Sequence, residues 1–126
     1  MATRVLVVDD NPDSLMITRG ILEPKGYEVV EATSGPQALE LVAQQPPDLI
    51  LLDVMMPGMS GLEVLQQLKE NYETARIPVI LVTAKTADED VVQGYQYGAD
   101  YYITKPFTGT QLLYGIELVL GRENPE

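Results

Sequence analysis

Short apolar runs alternate with amphipathic segments along this chain. Leu49-Ile50-Leu51-Leu52 runs without interruption into Asp53, and Arg4-Val5-Leu6-Val7-Val8 runs into Asp9 and Asp10. Runs this short, bounded by turn residues, predict strands buried on both faces. Glu28–Ala32, Val79–Thr83 and Tyr101–Lys105 predict three more strands. Between them lie residues with helical spacing: Leu15, Ile17, Ile21 and Leu22; Ala38, Leu39, Leu41 and Val42; Leu62, Val64, Leu65 and Leu68; Val91, Val92 and Tyr95; and Leu112, Leu113, Ile116, Val119 and Leu120.

The helix starts carry their own signals. Asn11-Pro12 offers an N-cap with proline at the first helical position. Ser34-x-x-Gln37, Ser60-x-x-Glu63, Thr86-x-x-Glu89 and Thr108-x-x-Gln111 each have the form of a capping box. Pro24 should disturb the last turn of the first helix, and Gly26 should end it. Strand and helix thus alternate five times, which predicts an α/β fold: a parallel sheet with right-handed crossovers and helices on both faces.

In such a sheet ligands sit at the carboxyl ends of the strands. Those ends hold Asp9 and Asp10, then Asp53, Thr83 and Lys105; the second strand ends blandly at Ala32-Thr33. Asp53 could instead cap the following helix, but Ser60 is the better cap. Three carboxylates at one edge repel, so either one carries a raised pKa or a cation sits among them.

Composition narrows the chemistry. The 126 residues suffice for one domain, read as residues 1–126 with 122–126 as a tail, and 45% hydrophobic content with 21% charge is that of a globular chain. With no Cys and no His, disulfides, thiol chemistry, His- or Cys-bound zinc and Ser-His-Asp triads are excluded. A net charge of −11 argues against direct nucleic-acid binding, and no apolar run approaches a membrane span. A cytoplasmic location is the default. Oxygen-only ligands favour a hard cation, Mg²⁺ with Mn²⁺ as the alternative. Lys105 and Thr83 could then hold the oxygens of a phosphoryl group on one carboxylate, a transfer that needs alignment and charge neutralisation but no general base.

Four stretches are spread along the chain from residue 7 to residue 107: Val7-Val8-Asp9-Asp10; Leu52-Asp53-Val54-Met55-Met56-Pro57-Gly58-Met59-Ser60-Gly61; Leu81-Val82-Thr83-Ala84; and Gly98 through Phe107. In these the chain resembles receiver domains of two-component response regulators, and is similar to the free-standing chemotaxis regulators. The resemblance implies a doubly wound, flavodoxin-like (βα)5 fold of strand order 2-1-3-4-5, and a phosphorylation switch rather than an enzyme. It implies Asp53 as phosphoacceptor from a phosphohistidine on a histidine kinase or phosphotransfer protein. Asp10, Asp53 and the Met55 main-chain carbonyl would ligate Mg²⁺, with Asp9 acting through water. Lys105 would pair with phosphoryl oxygens, and its bond to Pro106 would be cis. Thr83 would move toward the phosphoryl group, Tyr102 would swing inward with it, and the small Ala84 would leave access. In the family that the chain resembles, the positions of Met55 and Lys85 influence phosphoryl lifetime; a Met55 side chain cannot orient water, so slow self-hydrolysis is expected.

Tyr114 and Leu118 fall opposite the core stripe of the last helix. They are either two stray exposed residues or part of a surface joining the fourth helix, fifth strand and fifth helix, used by a downstream protein target, an output domain or a homodimer. Other functions fit less well. Phosphatases of the haloacid-dehalogenase type need an Asp-x-Asp pair, which Asp53-Val54-Met55 lacks. A flavodoxin-like cofactor binder needs a phosphate loop where Asp9-Asp10-Asn11 stands. A docking-only receiver would have no need of Asp10, Asp53, Thr83 and Lys105 together. The sequence leaves open whether Glu126 is a natural end or a cut before an output domain.

Overall fold

The computed structural model describes residues 2–84 and 94–121. Five strands, β1 (Arg4–Val8), β2 (Glu28–Ala32), β3 (Leu49–Asp53), β4 (Val79–Ala84) and β5 (Tyr101–Lys105), form one parallel sheet of order β2-β1-β3-β4-β5. This is the order that the resemblance implied. Helices α1 (Pro12–Leu22), α2 (Gly35–Gln44), α3 (Gly61–Glu70) and α4 (Gly109–Leu120) cover both faces. The label α4 thus denotes the last predicted helix. Of the fourth predicted helix, residues 94–96 are helical; Thr86-x-x-Glu89, Lys85, Val91 and Val92 lie outside the described residues, as does the 122–126 tail.

Side-chain alternation divides the core. Val5, Val7, Leu49, Leu51, Ile80 and Val82 meet Leu15 and Leu22 of α1 and Leu112 and Ile116 of α4. Leu6, Val8, Ile50, Leu52 and Leu81 meet Ala38 and Val42 of α2 and Val64, Leu65 and Leu68 of α3. Every residue of β3 is buried, so its uninterrupted apolar run reflects its central place with helices on either side. The two edge strands, β2 and β5, are the more exposed and the more polar.

The capping signals hold with one variation. Asn11 Oδ1 accepts from the Asp13 and Ser14 N–H groups, and Ser60–Glu63 and Thr108–Gln111 close full capping boxes. Ser34 caps α2 through the Gln37 N–H, but the Gln37 side chain reaches back one residue further, to the Thr33 N–H at 2.7 Å. As expected, α1 gives way to a 3₁₀ turn, Glu23–Lys25, and ends at Gly26 with φ 92°. One apolar assignment is corrected: Ile17 is 59% exposed, and the buried stripe of α1 runs through Leu15, Thr18 and Leu22. The i, i+3, i+7 spacing carries Ile17 away from the sheet and brings Thr18 in.

Lys69, in the last turn of α3, closes the opposite end of that helix. Its ammonium donates to the carbonyls of Ala75 and Ile77, both at 2.9 Å, and stands 3.6 Å from Asp100. Asp100 in turn accepts from the Val79 N–H at 2.8 Å, tying the entries of β4 and β5 together.

The start of α3 is wedged against the end of β3. The Gly61 N–H donates to the Val54 carbonyl at 3.0 Å. A Cβ on Gly61 would collide with the Asp53 carbonyl oxygen and lie 2.8 Å from both the Asp53 carbonyl carbon and Val54 Cα. These are backbone atoms with nowhere to turn. Gly61→Ala is expected to destabilise the protein by about 2–3 kcal/mol, the scale of forced overpacking. Urea denaturation measures this, and an unchanged midpoint would show that strand end and helix start can part without cost.

Candidate functional site

The site grows from two strand ends built alike. Beyond the last residue of β1, Asp9 Oδ1 accepts from the Asn11 N–H at 2.9 Å; at the end of β3, Asp53 Oδ1 accepts from the Met55 N–H at 3.0 Å. Each is a carboxylate bonded to the backbone two residues on, which fixes its rotamer where the chain leaves the sheet. In both, the second oxygen faces Lys105 at the end of β5: Nζ lies 2.9 Å from Asp9 Oδ2 and 3.3 Å from Asp53 Oδ2. Asp9 and Asp53 are buried, and Asp10 stands exposed beside them, so that oxygens of all three lie within 4.8 Å of one another.

Electrostatics decide what this arrangement favours. Unit charges about 4–5 Å apart interact by roughly 3–4 kcal/mol at an effective dielectric near 20. One ammonium against three carboxylates leaves two net negative charges. Burial raises the Asp53 pKa; the Met55 N–H and Lys105 pull it back in part, and the Asp9 charge adds to the rise. Burial lowers the Lys105 pKa, but its hydrogen bond to Asp9 and the charges of Asp53 and Asp9 outweigh that and leave it raised. The carboxyl strained by its surroundings is therefore Asp53. An all-oxygen, partly open cluster with excess negative charge fits a hard divalent cation.

The structure brings Asp9, Asp10, Asp53 and Lys105 together. Thr83 is buried at the same edge, but its hydroxyl donates to the Ala84 carbonyl at 3.3 Å rather than to a carboxylate. Ala84 is exposed and lies opposite Lys105 in the β4–β5 register. Tyr102, half-buried on β5, sets its ring edge-on to Tyr95, with centroids 5.8 Å apart and planes at 80°. The Met55 side chain is 62% exposed, and the Lys105–Pro106 peptide is cis. What sequence reasoning missed is the shared restraint, a backbone N–H two residues on from each carboxylate and one lysine spanning both; the repeated Asp-x-x order at two strand ends was the signal for it.

The Asp53 shift has a measurable sign. With its pKa above the ordinary 3.8, the folded state keeps, only over the pH window between 3.8 and its raised pKa, a proton that the unfolded chain has already lost. That contribution to stability is present at low pH and lost as pH rises through the folded pKa. For Lys105, raised above 10.5, the contribution is complete below 10.5 and is lost only as pH rises through the folded pKa. Asp53→Asn should therefore raise the denaturant midpoint at pH 7 in the presence of a chelator, with the gain shrinking as pH falls toward 3.8. An equal or lower midpoint at pH 7 would contradict this.

Comparison with known proteins accounts for the constellation. Residues 5–117 match the response regulator receiver domain. The chain is 42% identical over 121 residues to the phosphate regulon transcriptional regulatory protein PhoB of Pseudomonas aeruginosa, covering 96% of this chain and 53% of PhoB, so it spans about half that relative's length. It is 40% identical over 117 residues to protein PilH of the same organism, covering 93% of this chain and 97% of PilH. The crystal structure of the Vibrio cholerae chemotaxis protein CheY4 superposes with a TM-score of 0.89 at 30% identity, covering 94% of this chain and 99% of that one. With its paired strand-end carboxylates, bridging lysine and 2-1-3-4-5 sheet, the chain belongs to the response regulator receiver domains, phosphoacceptor modules of two-component signalling whose partner is a histidine kinase.

Proposed function

We propose that residues 1–126 act as one receiver that takes a phosphoryl group onto Asp53 from the phosphohistidine of a histidine kinase or phosphotransfer protein. The observation that carries this reading is the single Lys105 ammonium held against the buried Asp9 and Asp53 carboxylates. An Asp53 oxygen forms its bond to phosphorus as the phosphorus–nitrogen bond of the donor breaks, and the departing imidazole keeps the electron pair. Lys105 moves from the Asp53 carboxylate to the phosphoryl oxygens, which replace the charge it already neutralised. The Asp9, Asp10 and Asp53 cluster suits a divalent ion. Mg²⁺, or Mn²⁺ in its place, would be held by Asp10, Asp53 and the Met55 carbonyl, with Asp9 acting through water; when bound it supplies positive charge against the phosphoryl oxygens.

The switch we propose starts from this arrangement. Thr83 exchanges its 3.3 Å bond to the Ala84 carbonyl for one to the phosphoryl group, and Tyr102 leaves the Tyr95 ring to fill the space behind it. The surface that changes runs from the Tyr95 segment across β5 to α4. There a groove of about 430 Å³ is lined by Tyr101, Tyr102, Ile103, Thr104, Gln111 and Tyr114, and Tyr114 and Leu118 are 59% and 52% exposed. A downstream protein, an output domain or a second copy of the chain would dock there. No described helix is long and apolar enough to cross a membrane, and receiver domains typically work in the cytoplasm, where we place this one.

Intact mass after incubation with acetyl phosphate tests the chemistry. One added phosphoryl group is expected, requiring Mg²⁺ and absent in Asp53→Asn; incorporation into that variant, or none into the parent chain from acetyl phosphate or a phosphorylated kinase, would overturn the assignment. The phosphoryl group should decay over minutes or longer, because the exposed Met55 side chain cannot orient water; loss within seconds would contradict this. For the surface, beryllofluoride should change the sedimentation coefficient or partner binding, and Tyr114→Ala should reduce that change. A monomer under both conditions, with partner binding untouched by the substitution, would remove α4 from the switch.

A further inference from the structure

Three of the chain's five methionines lie in the loop between Asp53 and Gly61, and they point different ways. Met55 faces solvent, Met56 is buried in the core, and Met59 is half-buried against the same core. Gly58, with φ 77°, makes the left-handed turn that brings Met59 back toward the protein. Met59 meets a gap that only glycine leaves. A Cβ on Gly35, the first residue of α2, would lie 2.9 Å from Met59 Sδ and 3.0 Å from its Cγ, and 2.8 Å from Val64 Cγ2. The thioether therefore sits on bare α2 backbone.

The hydrogen bonds of the loop are at its ends. Met55 N–H is held by Asp53, Gly61 N–H by the Val54 carbonyl, and Ser60 N–H by Glu63. Among the described residues no hydrogen bond falls on 56–59. Among the described residues the middle of the loop is placed by packing: Met56 enters the core, and Met59 rests on the first residue of α2. We infer that Met59, seated on Gly35, is a positioning residue for the Asp9, Asp10 and Asp53 site: it sets where the loop carries the Met55 carbonyl and so how well the site accepts a divalent cation. This rests on the reading of the site as a cation-assisted phosphoacceptor. Methionine suits the seat because its unbranched stem can follow an irregular gap.

The test uses the full chain, with Mg²⁺ titrated calorimetrically and the urea midpoint measured separately in chelator. Met59→Ala should weaken Mg²⁺ binding about tenfold, the scale on which residues behind metal ligands act. Gly35→Ala, which expels the thioether from the other side, should do the same, while Met59→Leu, keeping most of the volume, should stay within about twofold. The control is Leu41→Ala. Leu41 packs on the same core but lines a small cavity with Arg4 and Leu6 at the other end of the sheet, so it should lose stability and keep the parent's Mg²⁺ affinity. If Met59→Ala binds Mg²⁺ as the parent does, or Leu41→Ala weakens binding equally, the contact is packing only and the inference fails. If the parent itself binds no Mg²⁺, the reading of the site fails and takes this inference with it.

Discussion

One lysine holds this structure's polar edge together. Lys105 reaches from an edge strand to carboxylates on the first and third strands, and without it two buried aspartates would face each other with nothing between them. Breaking one side of a buried charge cluster is costly because the remaining charges are already out of water. The sheet topology makes the bridge feasible: β1 and β3 are neighbours, so their ends sit side by side, and β5 lies across β4. Four residues from three strands meet only because parallel strands end at the same edge. The arrangement is short of positive charge, one ammonium against three carboxylates, and so fits a divalent cation.

The strands were legible because a central parallel strand must be apolar on both faces, and β2, β3 and β5 begin and end at the expected residues. Helix starts were legible because Ser60 and Thr108 meet their partners three residues on. The errors have local causes. Ile17 looked like core because apolar residues are assigned inward by type, whereas helix phase turns it out and Thr18 in. Gln37 chose the Thr33 N–H over that of Ser34, a choice that depends on the φ and ψ of the residues before the helix. The candidate site residues were legible as strand-end chemistry, and their family resemblance supplied the roles. Their mutual geometry was not, because the contact between residues 9 and 105 exists only after the sheet has formed. Lys69 was equally invisible: a lysine near a helix end reads as a solvated charge until the loop beyond it folds back.

The two faces of the sheet carry different duties. The α1 and α4 face is closed by long aliphatic side chains, with Gly115 letting α4 lie close on Tyr101 and Ile103 of β5. The α2 and α3 face includes the loop after Asp53, and its helices begin with glycines that admit backbone or sulfur where a side chain would not fit. Tight contacts on this face therefore crowd the Asp53 main chain and the loop that follows it, while the other face presents the exposed Tyr114 and Leu118 of α4.

Helix α3 is clamped at both ends. At its start, bare glycine lies against the Asp53 main-chain carbonyl; at its finish, Lys69 grips two carbonyls and the carboxylate that joins the entries of β4 and β5. The helix is about 15 Å from end to end, ten residues at 1.5 Å each. It thus ties the backbone of Asp53 at one edge of the sheet to the entries of β4 and β5 at the opposite edge, a strut set between the two ends of the strands.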